Sequence, residues 1–150
     1  MKKIFLSVIL GTLAACGGQD PAANPAPQPQ AAAPAVAGPG LLAPAEEKIS
    51  LPDGGWFTWR FAEKPKLGTA ILKVQAFDKS GARVNAYELI GEYGMPSMRY
   101  HDSGPVKFQL NKKGDYLLPV NIVMAGEWEV LISVKSDKET LYAGKLLFTI

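Results

Sequence analysis

From residue 49 onward, apolar side chains recur at every second position in short runs separated by turn-forming residues. Ala70, Leu72, Val74 and Ala76 alternate with Ile71, Lys73, Gln75 and Phe77. Val106, Phe108 and Leu110 alternate with Lys107 and Gln109, and Tyr116, Leu118, Val120 and Ile122 follow after the Asn111–Gly114 turn. Trp128, Val130, Ile132 and Val134 then alternate with Glu127, Glu129, Leu131, Ser133 and Lys135. A period of two puts successive side chains on opposite faces of a strand. With Gly55–Phe61, Val84–Glu92 and Leu141–Ile150, about seven such runs appear, and none keeps a helical period. The pattern predicts an all-β domain, an immunoglobulin-like antiparallel β-sandwich, over residues 49–150. Trp128 suits the middle of the core. Gly114-Asp115-Tyr116 reads as a tyrosine corner, a buried ring whose hydroxyl ties the preceding loop.

The first 48 residues follow different rules. Met1-Lys2-Lys3 is a positive start, and Ile4–Leu13 is apolar except for Ser7, Gly11 and Thr12. This has the order and length of a secretory signal and is too short to remain as a membrane span. It ends in Leu13-Ala14-Ala15-Cys16, with Gly17 next. That pattern resembles the bacterial lipoprotein signal, in which residues 1–15 are removed and Cys16 is lipidated to become the first residue. Two or three acyl chains, at about 0.8 kcal/mol per buried methylene, hold such a protein to a membrane. Gly17, in place of aspartate, implies passage to the outer membrane, facing the periplasm. Residues 16–48 form a tether: positions 17–48 carry 7 prolines and 10 alanines. Proline removes donors and fixes φ, so neither helix nor sheet propagates there.

Charge narrows the partners. Once Lys2 and Lys3 leave with the signal, 14 basic residues face 14 acidic ones, from 16 and 14 in the full chain. No net field gathers phosphates, which argues against nucleic acid as a partner. The single cysteine excludes an internal disulfide and a thiolate metal cluster. No phosphate-cradling loop, dinucleotide fingerprint or defensible Ser-His-Asp order is present, and no small-molecule substrate is evident. The sequence therefore reads as a non-enzyme.

One segment concentrates unusual chemistry. Gly94-Met95-Pro96-Ser97-Met98-Arg99-Tyr100-His101-Asp102-Ser103-Gly104 holds the only histidine and two of the three methionines that remain after Met1. The third, Met124, lies in a turn between two later strands. Thioether sulfur is soft and imidazole nitrogen intermediate, a combination that favours copper, above all Cu(I), over hard cations. Met95, Met98 and His101 at a three-residue spacing can meet one ion, and Met124 can join them if its turn lies at the same end. The alternative is that the methionines plug a gap at the end of the sandwich and the histidine is solvated.

A family resemblance joins these segments. Asp78–Ala86, the Met95-Pro96-Ser97-Met98 loop with His101 close by, Gly114-Asp115-Tyr116, and Met124-Ala125-Gly126-Glu127-Trp128 occur in the order and approximate spacing of the YtkA-like domain family, itself similar to FixH-type proteins. The likeness spans about residues 67–136. It implies an exported immunoglobulin-like domain, often membrane-attached, linked to copper handling or oxidase assembly. By that resemblance Met95, Met98 and His101 are the candidate ligands, with Met124 a further one. Arg99-Tyr100 between Met98 and His101 departs from the family's closer Met-Gly-His spacing, and the Arg99 charge disfavours a cation unless it turns away, for instance onto Asp102.

Two functions follow as expectations: a lipid-anchored copper-handling protein, or an envelope module that binds a protein partner and holds no metal. Three further features are open to a bland reading. Trp56, Trp59 and Phe61 are an aromatic platform or simply core; Glu127 and Glu129 are a wet strand face; Leu146–Ile150, with no polar tail, pairs within a sheet because an exposed apolar edge invites association.

Overall fold

Alternating burial along each long strand builds two facing layers. The computed structural model describes residues 39–98, 100 and 102–150. Ten strands appear in chain order: β1 (Gly40–Leu41), β2 (Ile49–Ser50), β3 (Trp56–Phe61), β4 (Gly68–Phe77), β5 (Glu88–Gly94), β6 (Val106–Lys107), β7 (Gln109–Leu110), β8 (Tyr116–Ile122), β9 (Glu127–Ser136) and β10 (Glu139–Thr149). One sheet runs β1-β10-β9-β5-β6 and the other β2-β3-β4-β8-β7. The protein is an all-β sandwich without helix or disulfide among the described residues. Between the sheets lie Leu72 and Val74 from β4, Leu118, Val120 and Ile122 from β8, and Trp128, Val130, Ile132 and Val134 from β9.

All seven runs read from the alternation become strands, and the higher strand count has a simple origin. The run Val106–Leu110 divides at Phe108: β6 pairs with β5, while β7 pairs with β8 in the opposite sheet. Phe108, at the crossing, is buried and donates its N–H to Leu89 O at 3.0 Å. The other side of the sandwich is closed in the same way. β1 lies parallel to β10 at Gly144 and Lys145, Glu46 N–H reaches Trp59 O at 2.8 Å, and β2 pairs with β3. Sheet pairing thus reaches back to Gly40, beyond the composition change near residue 49.

Pro119 sits within β8 without breaking it. Ile71 O accepts from Ala62 N, so Ile71 turns its polar groups toward β3 and away from Pro119, its cross-strand neighbour. Proline's missing donor therefore faces the edge of β8 that β7 leaves uncovered beyond Leu117, where no ladder bond is lost.

The tyrosine corner needs a correction. Tyr116 is buried, but its hydroxyl donates to Tyr87 O at 2.9 Å, on the chain entering β5, and not to the loop just before it. The preceding loop is held by Asn111, whose Oδ1 accepts from Lys113 N at 2.8 Å and Asp115 N at 2.9 Å. Short side-chain acceptors close turns of this kind locally, which frees the phenol for a longer reach. Tyr87 itself donates to Asp53 Oδ2 at 2.7 Å; burial, then this bond and the Asp53 charge, push its pKa up to about 12.

The aromatic cluster of β3 divides between the two faces. Phe57 is core, and Trp59 and Phe61 pack against it; the Trp59 indole donates to Ala43 O at 2.8 Å. Trp56 points to the other face, stacked on Phe77 at 3.9 Å and 12°. Lys48 lies 4.9 Å from the Trp56 ring centre and Arg83 5.9 Å from that of Phe77, so cations cap this pair. Glu129 lies 3.8 Å from Lys145, a surface pair on the wet side of β9, and β10 is paired along its length with β9.

A buried carboxylate ties the second sheet to its loops. Asp115 is 2% exposed and receives Lys73 Nζ at 2.9 Å, Gln75 Nε2 at 2.8 Å, Asn111 Nδ2 at 3.1 Å and the Arg83 guanidinium. Burial pushes this carboxyl upward, but Arg83, Lys73, Gln75 and Asn111 together outweigh it and hold the group far below the usual carboxylate range.

Candidate metal centre

The methionine loop is built by the strand that precedes it. β5 ends at Gly94, opposite Glu129 near the start of β9. The chain leaves the sheet and returns at Ser103, where two bonds close the loop's base: Ser103 N–H to Tyr93 O at 2.9 Å, and Tyr93 N–H to Ser103 Oγ at 3.0 Å. Within it, Met95-Pro96-Ser97-Met98 forms a turn sealed by Met98 N–H to Met95 O at 2.8 Å. Proline in the second position pre-sets that turn's φ. Pro96 therefore brings the backbones of the two methionines together.

Gly94 leaves room for a neighbouring side chain at the loop's entrance. A Cβ there would stand 2.1 Å from Asp102 Oδ1, because the Asp102 side chain folds across the glycine. Asp102 thus lies over the end of β5. Arg99, considered above as its neighbour, lies outside the described residues, as does His101.

Met95 and Met98 face inward to different degrees. Met95 is 8% exposed and belongs to the core cluster, while Met98 is half-buried against it. Met124 is 41% exposed in the turn between β8 and β9. Antiparallel pairing of β5 with β9 sets the end of one strand beside the start of the other, so loop and turn share one pole of the sandwich. Contact is direct: a Cβ on Gly126 would fall 2.6 Å from Met95 Cε. The Met95 methyl therefore rests on the turn that carries Met124. Gly126 has φ +142°, a region that excludes ordinary side chains, and it exchanges backbone bonds with Ile150 at 3.0 and 3.3 Å. The Trp128 indole donates to Met124 O at 3.1 Å.

The structure thus brings Met95, Met98 and the Met124 turn to one end. Cys16 and the leader lie outside the described residues. Among the described residues no group of three or more His, Cys, Asp or Glu side chains is placed to hold a metal. Among the described residues this pole gathers thioethers and the Asp102 carboxylate, short of the roughly six to eight oxygens that a hard cation such as Ca²⁺ takes. Soft monovalent ions fit the donor type. The sequence left the adjacency of Met124 conditional; it singled out Met124-Ala125-Gly126-Glu127-Trp128 as a motif but gave Gly126 and Trp128 no part in placing Met124.

No protein-family model and no curated protein sequence matches this chain. Among solved structures it is similar to FetP of uropathogenic Escherichia coli, at 12% identity, 72% of this chain, 95% of that chain and a TM-score of 0.46. It is also similar to a copper-bound variant of the Campylobacter jejuni protein P19, at 11% identity, 69% of this chain, 94% of that chain and a TM-score of 0.45. A copper-reconstituted form of that Campylobacter protein gives 12% identity, 69% and 91% coverage and a TM-score of 0.42.

Proposed function

We propose that this chain is a bacterial envelope lipoprotein whose β-sandwich binds Cu(I) at one pole and handles the metal without transforming a substrate. The observation that carries the reading is the placement of methionine. Of four methionines in the chain, every one except Met1 sits at the same end, with Met95 touching the turn of Met124. Met95, Met98 and His101 are the proposed ligands, with Met124 beside them. Soft donors of this kind stabilise Cu(I) over Cu(II) and over Zn²⁺. Two or three thioethers and one imidazole on a single ion suit storage or delivery better than turnover. YtkA-like membership is part of the same proposal.

The anchor is proposed from Cys16, its preceding Leu-Ala-Ala, and the apolar leader. Because sheet pairing begins at Gly40, residues 16–39 are left to space the sandwich from the lipid surface, by up to about 75 Å if extended at ~3.1 Å per residue. Gly17 favours the outer membrane, facing the periplasm.

One observation supports a second reading. Met95 is as buried as an ordinary core residue, which is what a packing role in a protein-interaction module requires. Titration of the full chain carrying Cys16→Ser, so that no thiolate competes, separates the two readings. With a Cu(I)-selective chelator as competitor, the copper reading predicts one bound equivalent; the interaction-module reading predicts none. Metabolic labelling with radioactive palmitate is expected to mark the wild-type chain and to leave the Cys16→Ser chain unlabelled.

A further inference from the structure

The turn between β8 and β9 is held at three points. Trp128 is 4% exposed, and its indole N–H has to find a partner inside the protein. It finds Met124 O at 3.1 Å, four residues back along the same chain. Gly126 is locked to Ile150 by reciprocal backbone bonds at 3.0 and 3.3 Å, and its missing side chain is the space into which the Met95 methyl fits. Met124 nevertheless remains 41% exposed. A large apolar side chain is thus left accessible on a turn that is otherwise pinned from inside the core. Met124 is therefore open to solvent beside the point where the Met95 methyl meets the turn.

We infer that the Met124–Gly126 turn is the second half of the soft-donor site, with Met124 a required ligand and Trp128 and Gly126 the residues that position it. This rests on the Cu(I) reading above. The loop supplies donors from one side of the pole. The turn supplies Met124 from the other, and the Trp128 hydrogen bond fixes the backbone from which Met124 projects. Partners that orient a metal ligand without touching the metal typically alter affinity 10–100-fold when removed.

A double-substitution cycle on the full Cys16→Ser chain tests this, with Cu(I) affinity read against a competing chelator. Trp128→Phe keeps an aromatic ring in the core while deleting the indole donor, with the melting temperature followed for the lost volume, and Met124→Leu keeps the bulk and deletes the sulfur. Each is expected to weaken Cu(I) binding by about 10–100-fold. In the Met124→Leu background, Trp128→Phe is expected to have no further effect, because Trp128 acts through Met124. A purely structural role for Trp128 predicts an equal loss in both backgrounds and would overturn the inference. Wild-type affinity in Met124→Leu overturns it as well. A parent chain that binds no Cu(I) instead removes the copper reading itself, which separates the two failures. Methionine methyl NMR supplies a second readout: one equivalent of Cu(I) is expected to shift the ε-methyls of Met95 and Met124 in the same step.

Discussion

Asp115→Ala is expected to lower the unfolding free energy by about 3–5 kcal/mol, the range for breaking a buried ion pair by removing one partner. The effect belongs toward the lower end, since Arg83 and Lys73 retain partial access to water, at 38% and 19% side-chain exposure. What remains after the substitution is two cations and two amides facing an empty centre. Because the carboxylate joins β4 to the Arg83 segment that follows it and to the Asn111 turn before β8, the loss should appear in global unfolding. Urea denaturation measures it as a lower midpoint. The pH dependence follows from the depressed folded pKa. An unfolded aspartate titrates near 3.9, so the stabilisation is complete above that value and is lost as pH falls through the lower folded pKa. Wild-type stability should therefore decline more steeply in acid than that of Asp115→Asn. Equal midpoints for wild type and Asp115→Ala would contradict the account of this network.

The second large effect concerns the pole. Joint replacement of Met95, Met98, His101 and Met124 by alanine is expected to weaken Cu(I) binding by at least about a hundredfold, equivalent to roughly 2.8 kcal/mol. The variant also loses the Met95 side chain from the core. Leu/Ile/Met→Ala replacements in a core cost about 2–5 kcal/mol, so the fold must be monitored in parallel. Met95→Leu with Met98→Leu keeps the apolar volume while deleting both sulfurs, and should retain the melting temperature yet lose affinity. Affinity preserved in that conservative pair would show that the loop sulfurs do not hold the ion.

The strands were the most legible part of the chain, for a physical reason. A half-buried strand needs alternation, and alternation is a local property that Ala70–Phe77 and Trp128–Val134 display without reference to anything distant. Which sheet a strand joins is not local. Val106–Leu110 alternates in the same way whether it pairs with β5, with β8 or with each in turn, so its division at Phe108 could not be read. Asp115 escaped notice because its partners lie up to 42 positions away, at Lys73, Gln75 and Arg83. Gly114-Asp115-Tyr116 drew attention for its tyrosine, yet the aspartate beside it carries the densest polar contacts. At the pole, residue type pointed to sulfur chemistry, while the meeting of Met95 with the Met124 turn depends on β5 and β9 being neighbours.

The central claim is that sulfur from methionine holds the metal. X-ray absorption at the copper edge of the full Cys16→Ser chain, loaded with one equivalent of Cu(I), reads the donor elements directly. The account predicts sulfur scatterers together with one imidazole, and loss of the sulfur signal when Met95, Met98 and Met124 are all replaced by leucine. A copper shell of nitrogen and oxygen alone, unchanged by those replacements, would contradict it.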